Sequence, residues 1–210
     1  MIAITRTDID SMDKIFRINL INSCSGYKSA NLISTKSTDG HENVAVFSSV
    51  THLGSNPPLL GFITRPAVVT RNTYENIKET GFYTINHIYQ DITEDAHHTS
   101  AKYPKNISEF DQTNLVSEYK DDFFAPFVKG CHVQIGMRYV DQYHLHVNDT
   151  ILIIGEIEKL YIHDTILEPD GFINLAKAKT ATINGLDGYA IPTQNERYEY
   201  QRPKPIEMLK

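Results

Sequence analysis

The chain is expected to be mainly β, a barrel with a few peripheral helices. Two observations carry that expectation. Short apolar segments bounded by Gly, Pro, Asn and Asp recur along most of the 210 residues, while helical spacing is confined to a few places. Many short strands with few helices favour a barrel. Cys131–Val140 also alternates strictly, with Cys131, Val133, Ile135, Met137 and Tyr139 on one face. That period of two is the signature of a strand with one buried face.

Length and charge narrow the options. A chain of 210 residues suits one domain with a sizeable core, here read as residues 1–210 with a barrel core about 22–175 and a C-terminal arm about 185–210. The formal net charge is -6 and the pI about 5.8, which argues against a nucleic-acid partner. Cys24 and Cys131 are the only cysteines, too few for a disulfide framework or a zinc pattern. The first twenty residues lack the basic start and apolar run of a signal peptide, and no stretch has the apolar length of a membrane span. A soluble, cytoplasmic protein is the expectation.

In order along the chain, Met1–Ile21 is mixed, and Ile15, Ile18, Leu20 and Ile21 could seat a short element on the barrel. Ala30–Thr35 and Val44–Val50 are expected to form a hairpin around Thr38-Asp39-Gly40. A Gly-Ser-Asn-Pro-Pro turn leads to a strand over Leu59–Thr64, with the prolines before the strand or at a sheet edge. A helix opens near Thr73 and ends at Gly81, followed by a strand over Phe82–Ile88. Helical spacing predicts a helix over Asp91–Tyr103, closed by Pro104. Ser108–Asp122 is polar and reads as an excursion from the barrel. Phe123–Phe127 is too apolar to be free in water, so it is core, a pocket wall or a subunit contact. Thr150–Ile162 is a long strand in which Gly155 marks a bulge or bend. The tail from Gly185 reads as an extended arm lying over a surface.

The stretch Asn43–Asn76 concentrates the chemistry. Two strands, a turn and a helix start lie within it, and Arg65 and Arg71 stand beside the helix start. Asn72 is the expected N-cap, with Glu75 placed to complete a capping box. Free N–H groups, a positive dipole end, the Thr73 hydroxyl and two guanidiniums would suit a phosphate. An ordinary capped surface helix with solvated arginines is the other reading of the same residues.

The segments NLISTKSTDGHENVAVFSSV, SNPPLLGF and TRNTYENIKETGFYTIN, with KGCHVQI and NDTILIIGEIEKL later in the chain, resemble in order and spacing the flavin reductase-like family of FMN-binding split barrels. The similarity runs from about Asn31 to Ile162. The resemblance implies a closed antiparallel barrel, FMN rather than FAD at a homodimer interface, and NAD(P)H:flavin oxidoreductase activity. It also implies that Ser48, Ser49, Val50 and Thr51 run along the flavin and that Ser34, Thr35 and Lys36 approach it. Arg65, Arg71 and Thr73 are then the phosphate candidates. Local backbone hydrogen bonding is the alternative role for Ser48 and Ser49.

No side chain is required to carry the chemistry, because a flavin ring itself takes the hydride. Many reductases of the family have Gly-Asp-His before the last long strand. Here the corresponding residues are Val147-Asn148-Asp149, and His144 or His146 is the nearest substitute beside a nicotinamide. That departure keeps open an electron-transfer flavoprotein of the flavoredoxin kind, besides a reductase serving an oxygenase or another acceptor. A flavin-free β-barrel binding module is the outside alternative. His144 and His146 share a strand face but lack a third partner at metal-ligand spacing, and no serine lies in a GxSxG motif. No metal and no hydrolytic triad are expected.

Overall fold

The structure is a computed structural model that describes residues 1–65 and 71–203. Two short helices open the chain: α1 (Arg6–Ser11), capped by Thr5, and α2 (Lys14–Ser23), capped by Asp13. Next come β1 (Lys28–Ser29), β2 (Asn31–Lys36), β3 (Glu42–Phe47), β4 (Thr51–Ser55), β5 (Pro58–Thr64), α3 (Asn72–Thr80) and β6 (Phe82–His87). The second half holds α4 (Thr93–His98), β7 (Ser117–Glu118), β8 (Phe127–Val128), β9 (Val133–Leu145), β10 (Thr150–Ile162), β11 (Thr182–Asn184) and β12 (Gly188–Ala190).

The main sheet has seven antiparallel strands in the order β3-β2-β6-β9-β10-β5-β4. Its two edge strands, β3 and β4, are consecutive in the chain and joined only by residues 48–50. A flat sheet would set those edges about 29 Å apart, at about 4.8 Å per strand. The connection from Phe47 to Thr51 can reach only about 14 Å. The sheet must therefore curl until its edges meet, and it does so as a barrel. Ser49 seals the seam: its hydroxyl accepts from the Ile63 N–H at 3.0 Å and donates to the Ile63 carbonyl at 3.1 Å. The ladder closes through this side chain, rather than through a backbone β3–β4 pairing among the described residues.

The barrel interior is apolar. Ile33, Phe62, Tyr83, Ile85, Met137 and Ile153 are buried in one cluster. Phe47, Phe62 and Tyr83 meet edge to face across it, with centroids 5.1 and 5.6 Å apart. A second cluster, containing Leu32, Val44, Ile88, Phe110 and Val128, fills the outer side of β2. Burial on both faces explains why β2 shows no clean alternation.

Several expectations are met. The hairpin around Gly40 forms, although β3 stops at Phe47 rather than Val50. Gly81 ends α3 in the left-handed conformation, and the Thr150–Ile162 strand has the expected bounds. The register of β9 on β10 shifts between Ile154 and Gly155. Phe123, Ala125 and Phe127 pack with Phe82 and Tyr161, which makes this stretch core rather than a subunit contact.

Other expectations are corrected. α4 stops at His98, because Thr99 turns the chain and its hydroxyl takes the Ala96 carbonyl. Ser108–Asp122 is an excursion outside the seven-stranded sheet, as expected, but a packed one: Glu109, Phe110 and Leu115 are buried, and β7 pairs with β8 in a separate two-stranded sheet. The Thr51–Ser55 edge strand goes unpredicted because its residues are mostly exposed and polar. α1 and α2 bury no residue: Ile15 and Ile21 are exposed, as is Phe16, while Ile18 and Leu20 are half-buried. Just before the C-terminal arm, β11 pairs with β1 and with β12, which lies in the arm, and the described residues after Ala190 have no regular structure.

Gly155 is the tightest point of the barrel. A Cβ there would strike the Tyr83 hydroxyl, lie 2.9 Å from Tyr83 Cζ and 3.1 Å from the Arg138 carbonyl oxygen. Tyr83 is fully buried and cannot swing away. Gly155→Ala is expected to cost roughly 1–3 kcal/mol, as overpacking does in a filled core. Urea unfolding of the two proteins measures it; an unchanged midpoint would show that the barrel relaxes at this position.

Candidate functional site

A cavity of about 670 Å³ opens at the seam. One wall is β3 and the residues just after it, from Asn43 to Ser49; a second is the end of β5, from Ile63 to Arg65. The start of α3, Arg71 to Thr73, forms the third, and residues 99–105 with Glu109 complete the lining. Residues 66–70, including Pro66, lie outside the described residues.

The start of α3 is held in place by two buried side-chain bonds. Asn43 Nδ2 donates to Thr73 Oγ1 at 3.0 Å, and Asn76 Nδ2 donates to Thr35 Oγ1 at 3.0 Å. The capping box does not form. The N-cap is Arg71, one residue earlier than expected, and no side chain caps the helix. The first intrahelical bond runs from the Glu75 N–H to the Arg71 carbonyl at 2.9 Å. The N–H groups of Asn72, Thr73 and Tyr74 therefore have no partner among the described residues, and they carry the positive end of the helix dipole. Arg71 Nε is buried and likewise has no partner among the described residues. An unsatisfied buried donor costs about 1–3 kcal/mol.

Charge is concentrated here. Arg65, Arg71, Lys102 and Lys105 line the cavity of a chain whose net charge is -6. Lys105 also pairs with Glu75 at 3.6 Å. Glu109 is the lining carboxylate, with Oε2 accepting from the Val44 N–H at 3.1 Å. Burial pushes its carboxyl above the usual range, and backbone N–H groups offset part of that rise.

The expected site residues divide into two sets. Ser48, Ser49, Arg65, Arg71 and Thr73 line the cavity. The Ser49 hydroxyl is committed to Ile63, the local backbone role that was the alternative. Ser34, Thr35 and Lys36 do not line it, because β2 lies inside the sheet with its side chains turned to the core and to α3. Ser34 and Thr35 are buried, and Lys36 sits over the rings of Tyr119 and Phe124 at 4.5 and 4.6 Å. Val50 packs on the core and gives its carbonyl to Ser29, while Thr51 is exposed on β4; neither lines the cavity. His144 and His146 stack at 4.4 Å at the exposed end of β9, with His144 3.4 Å from Asp149, and do not reach the cavity walls. Among the described residues no group of His, Cys, Asp and Glu is arranged to hold a metal ion.

Sequence reasoning missed Asn43, Glu109 and the segment 99–105. The run Lys102-Tyr103-Pro104-Lys105 was the available signal, two cations flanking a tyrosine and a proline, but nothing in it says which strand it faces.

Comparison with known proteins agrees with this architecture. The model of the family described as "Flavin reductase like domain" matches residues 27–179. The chain belongs to that family. A split-barrel protein of Shewanella frigidimarina NCIMB 400, described as a flavin reductase, is 45% identical with a TM-score of 0.93, covering 96% of this chain and all 100% of that one. Flavoredoxin of Desulfovibrio vulgaris (Miyazaki F) shares the fold at 19% identity and a TM-score of 0.72, over 83% of this chain and 91% of its own. An uncharacterised protein of Aquifex aeolicus is 28% identical over 150 residues, 69% of this chain and 74% of that one. Membership supports a flavin-linked oxidoreductase or electron-transfer role. Among the described residues, no helix is long and apolar enough to cross a membrane.

Glu109 gives a pH test that needs no ligand. Its folded pKa is raised, so the ionised form is penalised by folding at neutral pH, and the penalty vanishes once both states are protonated. The stability of Glu109→Gln relative to the parent should therefore increase as pH rises from about 4.5. Denaturant midpoints of both proteins between pH 4 and 8 check it; a constant difference would mean that burial does not perturb this carboxyl.

Proposed function

We propose that the seam cavity binds FMN and that the protein is an NAD(P)H-dependent flavin oxidoreductase. The observation that carries this reading is the cation-lined cavity of an acidic chain at the start of α3, where Arg71 Nε and the first N–H groups of the helix have no partner among the described residues. That combination fits a dianionic phosphate. A bound flavin would supply the ring that accepts a hydride from the nicotinamide. Arg71 and the start of α3 hold the phosphate, and Arg65, Lys102 and Lys105 add field without being buried in one bond each. The seam residues Phe47 to Ser49 form the wall along which the ring lies. FAD is less well accommodated in this reading, since the cationic groups gather at one cavity.

An electron-transfer flavoprotein is the second reading. It is favoured by the turn Val147-Asn148-Asp149, which lacks a histidine, and by the distance of the His144–His146 pair from the cavity walls. Both readings take the working unit as a homodimer in the cytoplasm, with an oxygenase or another electron acceptor as partner. Exposed Ile15, Phe16 and Ile21 on α2 support the homodimer, since a second copy would cover them. Light scattering that returned a monomer at working concentration would count against it.

Two measurements test the rest. A charge-assisted hydrogen bond is worth roughly 1.5–3 kcal/mol, so Arg71→Ala should weaken FMN binding about ten- to a hundredfold. Riboflavin, which lacks the phosphate, should be affected much less, and exposed Arg65 should matter less than Arg71. Equal losses of FMN and riboflavin would show that the arginine is structural. Anaerobic NADH or NADPH should bleach the flavin absorbance within seconds; bleaching by dithionite alone would favour the electron carrier.

A further inference from the structure

Among the described residues, Glu109 is the single carboxylate in a cavity wall that carries Arg65, Arg71, Lys102 and Lys105. It is 7% exposed. It opens one tight helical turn (Glu109–Gln112) capped by Ser108, whose Oγ accepts from the Phe110 N–H at 3.3 Å. Phe110 and Leu115 anchor that turn in the outer core cluster, and the Thr113 hydroxyl donates to the Glu109 carbonyl at 2.8 Å. Packing therefore fixes where the carboxylate stands.

Its place along the wall decides what it can meet. Glu109 Oε2 accepts from the N–H of Val44, on the edge strand β3. The next residue back, Asn43, donates to Thr73 at the start of α3. The other end of the same wall is Phe47 to Ser49. From Val44 to Phe47 the strand advances about 10 Å. A ligand lying along β3, with its phosphate at the helix start and its ring at Phe47–Ser49, thus brings the chain that joins them past Glu109.

The chemistry of the group narrows the choice. A neutral amide would accept the Val44 N–H as well, and it would be cheaper to bury than a carboxylate. Among the described residues the Glu109 carboxylate takes backbone N–H groups, those of Val44 and of Glu109 itself, and forms no pair with a lysine or arginine. It has two oxygens that only accept when ionised, so it suits a further donor. A phosphate placed against it would be repelled. An uncharged hydroxyl is a donor and is not repelled.

We infer that Glu109 is a specificity-determining residue of the seam cavity: its carboxylate accepts a hydrogen bond from a hydroxyl of the chain joining ring to phosphate, and so selects a polyol phosphate over one with a plain alkyl linker. The inference rests on the reading of this cavity as an FMN site.

The probes are FMN and its analogue with a pentyl chain in place of the ribityl chain, titrated by calorimetry at pH 8, which favours the carboxylate. Both carry ring and phosphate, so repulsion between Glu109 and the phosphate cancels in the ratio of their affinities. The parent should prefer FMN by about tenfold or more, the worth of one charge-assisted hydrogen bond. Glu109→Leu should remove about tenfold of that preference. Glu109→Gln, which keeps an acceptor for Val44, should remove about fivefold, since a neutral bond has roughly half the strength. Thermal unfolding verifies that each variant is folded; should Glu109→Leu not fold, Glu109→Gln decides alone. Equal binding of the two ligands by the parent, or an unchanged preference in Glu109→Gln, would overturn this inference while leaving FMN binding intact. If the parent binds neither ligand, the FMN reading fails and this inference fails with it.

Discussion

The connection between β3 and β4 is the constraint on which the molecule depends. Consecutive strands stand at opposite edges of a seven-stranded order, with residues 48–50 between them. The backbone cannot stretch across a flat sheet of that width, so curling is imposed by chain connectivity as much as by the apolar interior. Ser49 then supplies the bonds that the seam would otherwise lack. Gly155 leaves room for the Tyr83 side chain, which comes from β6 two strands away, where any side chain on residue 155 would clash. Closure and packing are therefore two views of one geometric requirement.

A seam is also a natural place for a cavity. The backbone ladder is interrupted there, and β3, the end of β5 and the start of α3 converge without filling the space between them. The two amide–hydroxyl bonds, from Asn43 to Thr73 and from Asn76 to Thr35, tie α3 to the edge strand β3 and to its neighbour β2. Among the described residues no side chain caps the helix start, and its first N–H groups and Arg71 Nε have no partner.

The electrostatics obey the same division. An overall acidic chain places Arg65, Arg71, Lys102 and Lys105 around one cavity and keeps a single lining carboxylate, Glu109, whose ionisation burial opposes.

The sequence by itself determined the strand-rich class, the long strand over Thr150–Ile162, the bulge at Gly155 and the end of α3 at Gly81, because each is a local matter of period or backbone freedom. Arg71 and Thr73, which line the cavity, were legible as candidates for the same reason, being adjacent to a helix start in the chain. Only the tertiary structure decided that Arg71 rather than Asn72 is the N-cap, since Thr73 is drawn to Asn43 from a distant strand. Only it turned Ser34, Thr35 and Lys36 away from the cavity, by burying β2 on both faces. The presence of Lys102, Lys105 and Glu109 in the cavity wall depends on contacts between segments far apart in the chain. No local pattern encodes those contacts; they exist because the seam forces the sheet to close and draws its two edges, with the segments attached to them, together.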